Sequence, residues 1–99
     1  MALTYRLHSL AKKELSESVD WYENERKGRG AKFLIAYFKT LKLLLSNPLA
    51  FPKDFDEVRK LYVPKFPFTI YYEVFGNEVF IYAIFHQKRD PDTWKNRGV

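Results

Sequence analysis

The sequence predicts an α+β domain in the order β-α-α-β-β-β, with a helical hairpin packed on one face of an antiparallel sheet. Three observations carry this. Two adjacent stretches in the first half repeat apolar residues every three or four positions, the period of an amphipathic helix. The second half contains three runs of aliphatic and aromatic residues, the texture of strands. The last two runs are joined by Gly76-Asn77, a pair that tolerates positive φ and makes a two-residue hairpin turn. At 99 residues the chain is long enough for one domain with one modest core.

The elements follow in order. Leu3-Thr4-Tyr5-Arg6-Leu7 alternates apolar and polar and reads as a short strand. Ser9 is the expected N-cap of a first helix, whose apolar face is Leu10, Ala11, Leu15, Val19 and Tyr22. Lys12, Lys13, Glu14, Glu17 and Asp20 fill its other side. Lys27-Gly28-Arg29-Gly30 reads as a turn. A second helix begins near Ala31, with Phe33, Leu34, Tyr37, Phe38, Leu41, Leu44 and Leu45 on a broad apolar face, and Asn47-Pro48 ends it. Residues 49–56 read as a loop containing Pro52. Strands are expected at Val58 to Val63, at Phe68 to Phe75, and from Val79 to Phe85.

The Gly76-Asn77 turn also predicts register. With Phe75 opposite Glu78, pairing runs back so that Ile70, Tyr72 and Val74 fall opposite Ala83, Ile81 and Val79, and this set should meet the helices. Thr69, Tyr71, Glu73 and Phe75 then share the other face with Phe80, Tyr82, Ile84 and His86. That second face is expected to be open to solvent or covered by something outside the domain.

Composition narrows the function classes. Hydrophobic residues make up 46% and aromatics 18%, too much for a disordered chain and enough to leave rings for a partner. Seventeen Lys and Arg against twelve Asp and Glu give a net charge of +5, which favours an acidic partner or nucleic acid. The absence of cysteine excludes a disulfide framework and thiolate chemistry. Only His8 and His86 are present and they lack metal-ligand spacing, so neither a metal nor another cofactor is expected. Gly28-Arg29-Gly30 lacks the strand-loop-helix context of a phosphate loop, and no serine sits in a nucleophile elbow. No apolar run spans a membrane, and Met1 to Arg6 has no signal-peptide layout, so a cytoplasmic location is expected.

The residues left for function are cationic and aromatic. Arg59, Lys60 and Lys65 lie on one hairpin, Tyr71 and Tyr82 on the second sheet face, and His86, Lys88 and Arg89 at the end of the last strand. Attack of a 2′-hydroxyl on its phosphate needs a base, an acid and cations. If the chain is a nuclease, His86 or a tyrosine is its base or acid, Arg59, Lys60, Lys65 and Arg89 stabilise the phosphate charge, and aromatic rings stack on splayed bases. Each has a structural alternative: His86 capping the strand, Tyr71 and Tyr82 supporting the sheet as cross-strand neighbours, Arg59 or Lys60 turning to the helices to pair with Glu14 or Asp20, Arg89 pairing with Asp90, and Trp94 packing back to close the core.

The order of motifs resembles the RelE/ParE superfamily of bacterial toxin–antitoxin toxins. The matching features are Trp21-Tyr22, Phe33-Leu34, Pro48 with Phe51-Pro52, Val58-Arg59, Phe66-Pro67-Phe68 and Ile70-Tyr71-Tyr72. The ending His86-Gln87-Lys88-Arg89-Asp90-Pro91 with Trp94 and Arg97 completes the series. That ending looks like the ParE-like, plasmid-stabilisation branch. The resemblance implies a small cytoplasmic toxin whose cognate antitoxin wraps and blocks it. In the ParE-like branch it implies poisoning of DNA gyrase, with the target met by Arg89, Trp94 and Arg97. In the RelE-like branch it implies metal-independent cleavage of mRNA on the ribosome. The basic charge and apolar second face lead us to expect an acidic, amphipathic antitoxin segment, lying across the helical hairpin or across the second sheet face at Tyr71, Phe80, Tyr82 and Ile84.

Overall fold

A computed structural model describes residues 3–99. Met1 and Ala2, which enter the reading of the N-terminus above, lie outside the described residues. The elements are β1 (Thr4–Leu7), α1 (Ser9–Glu25), α2 (Arg29–Ser46), β2 (Lys53–Phe55), β3 (Val58–Val63), β4 (Phe68–Phe75), β5 (Glu78–His86) and a 3-10 turn at Pro91–Thr93. The α+β class holds, with both helices packed on one face of the sheet. Two details differ. β2 lies inside the expected loop, a three-residue strand turned back onto β3 through Asp56, whose φ is 49°. The sheet is also mixed, not antiparallel: its order is β1-β5-β4-β3-β2, and β1 runs parallel to β5.

Local chemistry explains the helical hairpin. His8, not Ser9, caps α1, its Nδ1 accepting the Leu10 N–H at 3.0 Å. At the other end of α1 the Glu23 carboxylate accepts the N–H groups of Gly28 and Gly30, placing negative charge at the positive end of α2. Gly28 turns the chain with φ +88°. A Cβ on Gly30 would stand 2.7 Å from the Val19 carbonyl oxygen, so only glycine lets the two helices approach this closely.

A β-bulge changes the predicted register. Pairing runs as expected from Phe75↔Glu78 to Tyr72↔Ile81, but Tyr71 then falls opposite Ala83, leaving Tyr82 as the extra residue on β5. Ile70 therefore faces Ile84, and Phe68 faces His86. Beyond the bulge every side chain of β5 changes face. Ile84 joins Phe33, Tyr37, Leu44, Tyr72 and Ile81 in the core beneath the helices.

The opposite face is covered by the chain itself, which corrects the expectation of an open or externally covered surface. Tyr71, Phe80, Tyr82 and Phe85 form a second core with Val58 and Trp94. After β5 the chain folds back across the sheet as a strap, and the Trp94 indole, only 1% exposed, lies 4.5 Å from the Tyr71 ring and 5.9 Å from the Tyr82 ring.

Candidate functional site

Besides Trp94, a buried ion pair fastens the strap. β1 ends at Leu7, so the last residues of β5 have no strand on that side. Glu14 of α1 and Arg97 of the strap stand in for it. Glu14 Oε1 accepts the Ile84 N–H at 3.1 Å, and Arg97 Nη1 donates to the Tyr82 carbonyl at 2.9 Å. The two side chains join each other as a bidentate pair, Nη1 to Oε1 at 3.1 Å and Nη2 to Oε2 at 2.5 Å. Both are nine-tenths buried. Arg89 completes the cluster, its Nη1 3.8 Å from Glu14 and its guanidinium 4.0 Å above the Phe85 ring.

His86 and Arg89 stand where two clefts meet. One, of about 320 Å³, lies under α1 and has Trp21, Tyr22, Phe68 and Ile84 in its walls. The other, of about 760 Å³, opens between the β3–β4 turn and the end of β5, with Tyr62, Lys65, Tyr71 and Gln87 in its walls. His86 packs edge-on against Phe68, and its Nδ1 accepts the Lys88 N–H at 3.1 Å. The neutral imidazole therefore carries its hydrogen on Nε2 and offers a donor, not a lone pair. Burial pushes the Tyr71 hydroxyl above its ordinary value, so it too stays a donor. Lys65 holds the left-handed conformation, with φ 69°, a costly geometry for a side-chain-bearing residue.

A third surface lies along α2. Arg29, Lys32, Lys39 and Lys65 surround a groove of about 530 Å³ floored by Ile35 and Phe66. Ile35, Phe38 and Leu43 on the same helix are each about half exposed. Among the described residues no helix is long and apolar enough to cross a membrane.

Residues 5–91 match the family model described as the ParE toxin of the type II toxin–antitoxin system parDE. The chain belongs to the ParE toxin family. The fold agrees: a solved structure titled a chromosomal ParDE toxin–antitoxin system from P. aeruginosa superposes with a TM-score of 0.73, at 23% identity, over 85% of this chain and 95% of that one. No curated protein sequence matches significantly.

In this ParE-family chain the residues singled out from the sequence scatter. His86 and Arg89 come together. Arg59 does not join them: its Nη1 donates to the Phe51 carbonyl at 2.7 Å, and it pairs with Tyr72, four residues or roughly 13 Å along β4 from the position of His86. Lys60 is held by Asp54 at 3.2 Å. Trp94 and Arg97 are buried in the strap, which leaves Arg89 as the exposed member of that trio. Tyr71 and Tyr82 lie under Trp94, while Phe80 is capped by the Arg6 guanidinium 5.0 Å from its ring. Arg89 turns to Glu14 and not to Asp90, whose side chain accepts the Asp92 N–H.

The burial of Glu14 is what the sequence reading missed: assigned above to the polar side of α1 as a candidate partner of Arg59 or Lys60, it pairs with Arg97. A signal for it existed. Ala11, Glu14, Ser18 and Tyr22 are spaced three, four and four apart, which puts the carboxylate on the buried stripe.

Proposed function

We propose that this ParE-family chain is a growth inhibitor of the cytoplasm, neutralised by a cognate antitoxin and acting by gripping a protein target such as DNA gyrase. The observation that carries this reading is the absence, among the described residues, of an assembled acid–base pair at the His86 corner. His86 Nδ1 is taken by a backbone N–H, Arg59 is committed to Phe51 and the adjacent tyrosine is held protonated. What the molecule offers instead is rigid surface. Arg89 is the direct target contact in this reading, with Trp94 and Arg97 holding the segment that presents it. The antitoxin takes the α2 groove, whose four cations around an apolar floor suit an acidic amphipathic segment. Contact at Tyr71, Phe80, Tyr82 or Ile84 would first require uncovering them.

Induced expression without antitoxin is the test. Early arrest of DNA synthesis with an SOS response supports the reading, and Arg89→Ala should weaken it while leaving the thermal midpoint of the purified protein in place. Cuts in ribosome-bound mRNA would instead establish the nuclease activity of the RelE-like branch. Normal growth would exclude both. For the antitoxin, Lys32→Glu with Lys39→Glu should slow association and flatten its salt dependence.

A further inference from the structure

We propose that the cleft between the β3–β4 turn and the end of β5 binds single-stranded nucleic acid without cutting it. The inference does not rest on a protein target, because it concerns what the purified chain does alone.

The lining of the cleft is chemically one-sided. Among the described residues, its side chains are cationic, hydrogen-bonding or apolar, and no carboxylate is in its wall. Lys65 and Arg89 bring positive charge, His86 supplies the Nε2 hydrogen, and Gln87 adds an amide. Such a set answers a phosphodiester, whose oxygens only accept. Arg89 retains capacity for it: its distance of 3.8 Å from Glu14 is beyond a hydrogen bond, and its side chain is 53% exposed.

Two further observations point to bases as well as phosphates. Tyr62 is 58% exposed at the rim of the cationic cleft, with the Lys60 ammonium 6.0 Å from its ring on one face. A base from an unpaired strand can stack on it, whereas a paired base cannot leave its duplex without cost. The second is Lys65. A lysine in the left-handed region is unfavourable where glycine would be at ease, and this one stands in the cleft wall, shared with the α2 groove. An acidic peptide would match the cations but give Tyr62 no flat partner. Cleavage is not expected, because the imidazole presents a hydrogen where an in-line reaction needs a base.

Fluorescence anisotropy of labelled oligo-dT and oligo-rU, each about ten nucleotides long, tests the proposal directly. Both should bind at low salt, with affinity falling as salt rises by about 0.7 in log–log slope for each phosphate engaged. Lys65→Gly relaxes the backbone, so its thermal midpoint should stay or rise while binding falls several-fold and the slope drops by about one phosphate. Tyr62→Ala, at an exposed position, should weaken both oligonucleotides about tenfold and leave the slope unchanged. A preference for dT over rU, or the reverse, then identifies the natural strand.

Three results would overturn it: no binding at low salt, equal binding by the wild type and both variants, or displacement by polyglutamate as effective as by unlabelled oligonucleotide. Equal affinity for a duplex of the same length would remove the stacking argument and with it the single-strand assignment. Shortened oligonucleotide on a denaturing gel would refute the statement that the strand is left intact.

Discussion

Glu14 is a carboxylate on the buried stripe of α1, and such a charge is tolerable only when every oxygen has a partner. Here Oε1 meets the Ile84 N–H and Arg97, and Oε2 meets Arg97. Removing one member leaves the other charged and buried without its bidentate partner. Glu14→Ala and Arg97→Ala should therefore each destabilise by about 3–5 kcal/mol in urea unfolding. The double variant should lose much less than the sum, because the uncompensated charge is gone. Additive losses would mean that the pair is not a unit. Lys65 is the opposite case, a residue whose replacement should help the fold. Gly at its φ of 69° should stabilise by about 1 kcal/mol, read in the same unfolding assay.

At the scale of elements, the strap and the hairpin are set by single close contacts. Trp94→Ala would empty the space against Tyr71, Tyr82 and Phe55, costing about 3–5 kcal/mol and exposing the second face to dyes that bind apolar surface. Unchanged stability with no dye binding would show that the strap does not close this core. Gly30→Ala forces a Cβ against the Val19 carbonyl and should spread α1 from α2, a loss of about 1–3 kcal/mol visible as a lower thermal midpoint. These contacts also mark what could be read from the sequence. Both helices and the three long strands were legible because their apolar residues repeat at helical or strand period over many positions. The bulge at Tyr82 was not, since an inserted residue leaves the run Val79–Phe85 uniformly apolar whichever face each side chain takes. β2 was hidden by its length of three residues. The parallel placement of β1 follows from the path of the helical hairpin, a tertiary fact with no local signature. The same bulge explains why the candidate site was only half legible. His86 and Arg89 were close in sequence and stayed close in space, but the face assigned to Ile84 and His86 depended on a register that the bulge changes.

Taken as one molecule, the sheet is a partition with aromatic residues buried on both sides, and that arrangement makes the whole fold sensitive to alkali. Tyr72 beneath the helices and Tyr82 beneath the strap both have their hydroxyls pushed up from 10.0 to about 12, in each case mainly by burial. Tyr82 is raised further by donating its hydrogen to Glu73 at 2.9 Å, since ionisation would set two negative charges side by side. Burial drives the Tyr37 hydroxyl higher still. The sign follows from proton counting. In the unfolded chain these groups lose their protons near 10, while the folded chain keeps them until about 12. Above 10 the unfolded state therefore binds fewer protons, and stability falls as pH rises. The contribution is complete below 10 and is progressively lost between 10 and about 12. Lys60, raised by its hydrogen bond to Asp54, acts in the same direction. Thermal midpoints measured from neutral pH upward should accordingly hold level and then drop through that window, as the buried tyrosines ionise with unfolding. Tyr82→Phe should make the drop shallower, because the residue that replaces it has no proton to lose. A midpoint that stays level up to about 12 would show that these hydroxyls are reached by water and that the two cores are not closed as described.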